Sequence, residues 1–213
     1  LEQEGNIKAA NDKITFLQEL VDNLDGFSKG TKTLVENSTW SKQGMALLAN
    51  VGHSTSKFRI AIEAALKNNL DNILLESIDD LKRGISLLKK NKIGKASFYL
   101  PGIKPEVSKG FVKKLQNWKY KKHVNKIVSQ PGVLGFASEF VEADIKWHHY
   151  FKILLEGVVV VDNLETAMTL VKIYSEFQYS TLDGDYINIF GVIEAGSVPK
   201  ADDTIFGRIQ LLD

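Results

Sequence analysis

The run Gly26-Phe27-Ser28-Lys29-Gly30-Thr31-Lys32-Thr33 is the nearest this chain comes to a phosphate-binding loop. Such a loop cradles phosphates on its backbone amides and needs a lysine directly after its second glycine to reach them. Here Thr31 takes that place, and no apolar run that reads as a strand precedes it, so nucleotide binding is not expected. His148 and His149 are adjacent, so on a helix they point about 100° apart and do not share a metal. Asp144, four residues before His148, adds one acid to one imidazole, too few donors for zinc. Asp183 and Asp185 flank Gly184; paired carboxylates can do acid–base chemistry or hold a hard cation. Asp-Gly-Asp between strand-like runs reads instead as a turn in which the glycine supplies a positive φ. No nucleophile, base and orienting group can be assembled, and there is no cysteine for a thiolate metal site or a disulfide. The chain is read as a non-enzyme without cofactor or metal.

With 213 residues, the chain is long for one domain and short for two independent ones, which points to one unit made of two similar halves. No apolar run approaches the roughly 20 residues that span a bilayer, and no basic stretch followed by an apolar core opens the chain. A cytoplasmic protein is expected, in keeping with the lack of cysteine. Lysine and arginine (27) nearly balance aspartate and glutamate (26), so only a local patch could draw nucleic acid.

Ile7, Ala10, Ile14, Leu17, Val21 and Leu24 recur at alternating spacings of three and four, either a coiled-coil seam or an amphipathic helix packed on its own core. Ile205, Ile209 and Leu212 repeat the spacing at the other terminus, which favours two helices of one antiparallel coiled coil. Between them lies an internal repeat. Ile73-Leu74-Leu75-Glu76-Ser77-Ile78-Asp79-Asp80-Leu81 matches Val159-Val160-Val161-Asp162-Asn163-Leu164-Glu165-Thr166-Ala167 in character: a buried strand, then an acid-started helix capped from Ser77 or from Asp162/Asn163. Helices opening at Lys57-Phe58 and Lys146-Trp147 precede these strands. Short strands at Ala96 to Leu100 and Tyr179 to Leu182 follow the capped helices. Each half therefore reads helix, strand, helix, strand, a mixed α/β (α+β) class.

From about Pro101 to Pro131 the chain carries Lys104, Lys109, Lys113, Lys114, Lys119, Lys121, Lys122 and Lys126 against Glu106. Phe111, Trp118 and Tyr120 interrupt the lysines. They read either as stacking aromatics of a nucleic-acid surface or as the core face of a helix whose lysines are solvated.

Several stretches, in order, resemble the hinge of SMC (structural maintenance of chromosomes) proteins. Leu17-Gln18-Glu19-Leu20 with Asp25-Gly26-Phe27-Ser28-Lys29-Gly30-Thr31-Lys32 resembles the entry from the incoming arm. Pro131-Gly132-Val133-Leu134-Gly135-Phe136-Ala137 resembles the start of the second half-domain. Thr181-Leu182-Asp183-Gly184-Asp185 is similar to the family's "TLdGd", and Phe206-Gly207-Arg208 to the "lgR" that opens the outgoing arm. One stretch departs. Where the family is dense in glycine, roughly G-G-S-x-T-G-G-S, this chain has Phe190-Gly191-Val192-Ile193-Glu194-Ala195-Gly196-Ser197.

The resemblance implies the SMC hinge fold, divided as an entry helix and coiled-coil stub (1–36), half-domain one (37–102), the basic connection (103–130), half-domain two (131–202) and the start of the outgoing arm (203–213). It implies a doughnut-shaped dimer with a second, identical hinge, of the bacterial, nucleoid-associated kind, with strands paired across the junctions and an interface including Asp183, Gly184, Gly191, Gly196 and Ser197. Weak accessory DNA contact is expected at Lys113, Lys114, Lys119, Lys121 and Lys122. The alternative is a dedicated DNA-binding module whose dimerisation is secondary. Other long-armed ATPases join their arms through a zinc hook, which needs a Cys-x-x-Cys pair that this chain lacks.

Overall fold

The computed structural model describes residues 2–102, 122–199 and 204–209. Leu212 and most of the basic connection, including Lys113, Lys114, Lys119 and Lys121, lie outside them. The chain forms two compact units that interleave in sequence: Leu1–His53, Asn69–Pro101 and Asp202–Asp213 in one, Ser54–Asn68 and Gly102–Ala201 in the other.

The first unit opens with helix α1 (Glu2–Asp22), followed by α2 (Lys29–Glu36). Along the α1 stripe Ile7 and Ile14 are exposed, whereas Leu17 is buried and Leu24, just past the helix, joins the core. The P-loop-like run is a helix start. Ser28 caps α2 by accepting from the Thr31 amide, and a Cβ at Gly30 would lie 2.3 Å from the Lys95 carbonyl oxygen. Strands β1 (Ala46–Leu47), β3 (Ile73–Leu74) and β4 (Phe98–Tyr99) form a sheet in the order β1-β3-β4, antiparallel then parallel; β2 (Gly52–His53) is a further short strand. Helix α4 (Ile78–Asn91) connects the parallel pair, capped by Ser77 as its sequence predicts. Leu34, Trp40, Leu47, Ile73, Leu75 and Leu88 fill the core. Asp80, fully buried, accepts from the Lys42 amide (3.0 Å), the Gln43 amide (3.1 Å) and the Ser41 hydroxyl (3.2 Å), and pairs with Arg83.

The second unit repeats the plan and extends it. It contains α3 (Arg59–Leu66), a helix described over 122–127 (α5), β5 (Val133–Phe136), β6 (Glu142–Ala143), α6 (Ile145–Leu154), β7 (Val158–Val161), α7 (Leu164–Val171), β8 (Gln178–Thr181), β9 (Tyr186–Ile187) and β10 (Ile193–Glu194). The sheet order is β10-β9-β8-β7-β5. Strand β7 is antiparallel to β5 and parallel to β8, as β3 is to β1 and β4, and Asn163 caps the connecting α7 through the Thr166 amide (2.9 Å). The added β9–β10 hairpin covers the outer side of β8. Beyond the two strands per half that the repeat predicts stand β1 and β2 in the first unit and β5, β6, β9 and β10 in the second; all but β5 are two residues long and β5 is broken at Gly135, so none shows a period. Asp144 is a helix cap, accepting from the Lys146 amide, and among the described residues no group of three potential metal ligands exists.

Removal of the Asp80 carboxylate leaves two backbone amides and Arg83 without their buried acceptor, so Asp80→Ala is expected to cost about 3 kcal/mol in chemical denaturation; a loss below about 1 kcal/mol would show that the 41–43 loop does not depend on it. In the second unit, burial and then the charge of Glu176 raise the pKa of Tyr179, whose hydroxyl donates to the Tyr174 carbonyl at 2.8 Å. Burial and Glu194 raise that of Tyr186. Above about pH 10 the unfolded chain releases phenolic protons that the folded chain keeps, so stability falls as pH rises. Denaturation midpoints between about pH 8 and 11 should decline less steeply in Tyr179→Phe than in the parent; equal slopes would remove Tyr179 from the alkaline limb.

Candidate interface and arm junction

Asp183 and Gly184 form the turn between β8 and β9, and Gly196 and Ser197 lie on the segment that follows β10. The second unit brings all four to one cleft of about 360 Å³, lined also by Lys67, Asp185, Tyr186, Glu194 and Pro199. The turn is the one expected of Asp-Gly-Asp: Gly184 has φ +92°, its amide donates to the Thr181 carbonyl at 3.0 Å, and a Cβ there would lie 2.9 Å from Ile60 of α3. Asp183 is exposed. Asp185 is buried and structural. Its carboxylate accepts from the Thr181 hydroxyl (3.2 Å) and, across the cleft, from the Gly196 amide (3.2 Å). Lys67, at the C-terminal end of α3, reaches Glu194 of β10 at 2.6 Å. An exposed pair of this kind contributes little stability, but it fixes where the edge strand lies.

Gly191 is not part of that cleft. It sits at the tip of the β9–β10 hairpin with φ +79°. A Cβ at Gly191 or at Gly196 would meet nothing within 4 Å, so neither glycine serves packing inside the chain. Around them Ile189, Phe190, Val192, Ile193 and Val198 are exposed. This apolar set was not singled out from the sequence, where Phe190 reads only as a lost glycine; five large apolar side chains within ten residues, 189 to 198, were the available signal. Of the expected DNA-contacting lysines, Lys122 is described and exposed. A second basic surface went unnoticed in the sequence: Lys82, Lys89, Lys90, Lys92 and Lys95 are all exposed on and just after α4.

A different site lies in the first unit, where the C-terminal end of α1 meets the 204–209 segment. Arg208 is almost wholly buried. Its Nη1 donates to the carbonyls of Leu20 (3.4 Å) and Asp25 (3.2 Å), and its Nε to the carbonyl of Thr204 (3.0 Å). The last carbonyls of a helix lack intrahelical donors and carry the negative end of its dipole, so a guanidinium suits them. The Gly207 amide donates to the Ala49 carbonyl at 3.1 Å, and a Cβ at Gly26 would lie 2.3 Å from the Ile205 side chain. The end of α1 and the 204–209 segment are therefore bound together by a cation on main-chain oxygens and by close backbone approach.

Residues 42–171 match the family model described as the SMC proteins Flexible Hinge Domain. The chain is 31% identical over 191 residues, 89% of its length, to the chromosome partition protein Smc of Mesomycoplasma hyorhinis, and 31% identical over 71% of its length to that of Methanocaldococcus jannaschii. It spans 18% and 12% of those two proteins. Among solved structures it is similar to an asymmetric dimer of the Geobacillus stearothermophilus SMC hinge domain (TM-score 0.75, 22% identity, 99% of this chain and 81% of that one). It is also similar to the Pyrococcus furiosus SMC hinge domain (TM-score 0.58, 21% identity, 89% and 90%). The β-α-β repeat, the junction of α1 with the 204–209 segment and these matches agree: the chain belongs to the SMC hinge family.

Proposed function

We propose that this chain is the dimerisation hinge of a chromosome-partition SMC protein, joining two coiled-coil arms into a ring or rod for chromosome condensation and segregation, by contact with a second, identical hinge. The observation that carries this reading is the outer edge of the second unit's sheet. Among the described residues that sheet ends at β10, whose two residues are exposed and which lies beside further exposed apolar residues. Exposed edges seek partners, and a strand of a second copy satisfies their amides and carbonyls without new chemistry. The Arg208 junction supports the arm reading, since it holds the incoming helix to the outgoing segment, and the open Ile7 and Ile14 face offers a seam for a second helix. The placement is the cytoplasm, at the nucleoid; no helix among the described residues is long and apolar enough to cross a membrane.

Asp183, Gly184, Gly191, Gly196 and Ser197 belong to the proposed interface, and DNA contact is a weaker, accessory role of Lys113, Lys114, Lys119, Lys121 and Lys122. The two roles separate by salt: lysine–phosphate contacts weaken steeply as salt rises, whereas strand pairing over an apolar core persists.

Sedimentation equilibrium at low and high salt should return a salt-resistant dimer; a monomer at every concentration would overturn the hinge reading. Because a side chain at position 196 meets open space within the chain, Gly196→Trp should leave the thermal midpoint unchanged and weaken self-association at least about tenfold, through the roughly 1.4 kcal/mol that one clash costs. An unchanged dissociation constant would take Gly196 out of the interface. Lys113, Lys114, Lys121 and Lys122 replaced together by glutamate should lower DNA affinity and flatten its salt dependence while the dimer persists; loss of the dimer would refute the division of labour.

A further inference from the structure

Phe190 stands at the tip of the β9–β10 hairpin and is 86% exposed. An aromatic ring left in water is costly to keep there and has a large apolar area to bury against a partner. The backbone beneath it is held in place. The Asn188 side-chain oxygen accepts from the amides of Phe190 (2.9 Å) and Val192 (3.0 Å). The Gly191 amide donates to the Asn188 carbonyl at 3.0 Å, and the Asn188 amide to the Val192 carbonyl at 3.0 Å. A ring presented on a closed turn loses little freedom on binding, which is the property of an interface anchor.

The surroundings say what kind of partner fits. Ile189, Val192 and Ile193 of the same hairpin are exposed, as is Val198 after it, and from Tyr186 to Pro199 the only charged residue is Glu194, which Lys67 already meets. A segment without a free cation has nothing to offer phosphate, so nucleic acid is a poor occupant. Among the described residues the sheet ends at β10, which contains the exposed Ile193, and a closed two-fold arrangement would bury this hairpin twice, once from each copy.

We propose that Phe190 is the anchor by which this chain recognises a second copy of itself, inserting into the partner beside the paired β10 edge. The inference rests on the dimer reading above and deepens it. Where a glycine-dense segment would let two backbones approach, this chain buries an aromatic side chain instead. The contact then depends on a partner shaped to receive the ring, which makes it selective for identical chains.

The test is sedimentation equilibrium of the parent, Phe190→Ala and Phe190→Leu, with circular dichroism melts of each. Since Phe190 is nearly free of contacts within its own chain, all three should melt alike. Truncation to alanine should raise the dissociation constant by about 30-fold or more, and leucine should fall between. A dimeric parent with an equally tight Phe190→Ala dimer would overturn the anchor and leave the hinge reading standing. A monomeric parent would overturn both. A mixture with a glycine-dense hinge provides the selectivity arm: heterodimers forming as readily as homodimers would overturn selectivity for identical chains.

Discussion

A strand buried on both faces must have its backbone groups satisfied from both sides, and the architecture of this hinge follows from that constraint. Ile73-Leu74 and Val158 to Val161 are wholly buried, so each needs a neighbour on either side. Each obtains an antiparallel strand from upstream and a parallel strand from downstream, the latter returned by a capped helix of the kind parallel pairing requires. This solution moves the pairing problem outward to the next strand. In the second unit the β9–β10 hairpin moves it outward once more, to a strand whose residues are both exposed.

Much of this was legible in the residues. The continuous apolar runs mark the central strands because a strand buried on both faces has no alternation to hide. The capping residues mark the following helices because Ser77 and Asn163 place an oxygen where orphan amides need one. Strand β1 was not legible: Ala46-Leu47 is too short for a period to register, and its pairing with β3 is a long-range choice. Nor did the sequence reveal the interleaving of the units, since Ser54–Asn68 packs with residues more than a hundred positions away in part of its unit. Periodicity reports which face of α3 is apolar and says nothing of which sheet it covers.

The site was partly legible for a related reason. Asp183, Gly184, Gly196 and Ser197 converge on one cleft, and the tie between them is Asp185, which as a sequence reads only as half of a turn. Arg208 is similar. The resemblance places it in the motif that opens the outgoing arm, but its burial against three main-chain oxygens becomes visible only when the far end of α1 is brought beside it. In both cases a charged group is kept inside by backbone partners that no side-chain pattern announces.

The molecule also divides its labour in a way that bears on mechanics. Stability resides in two cores and in buried polar anchors such as Asp80, whereas at the proposed association surface Phe190 is exposed and a Cβ at Gly191 or Gly196 would meet nothing within 4 Å. Association can therefore strengthen or weaken without disturbing the fold. The arm junction is built the opposite way. Arg208 and the Gly26–Ile205 approach lie in the same unit as the first core, so the end of α1 is held there by hydrogen bonds to main-chain oxygens. In the proposed role, a hinge that stays folded while arms move and a partner contact yields needs its strong bonds at the arm junction and its separable ones at the association surface, and the buried Arg208 and the exposed Phe190 fit that division.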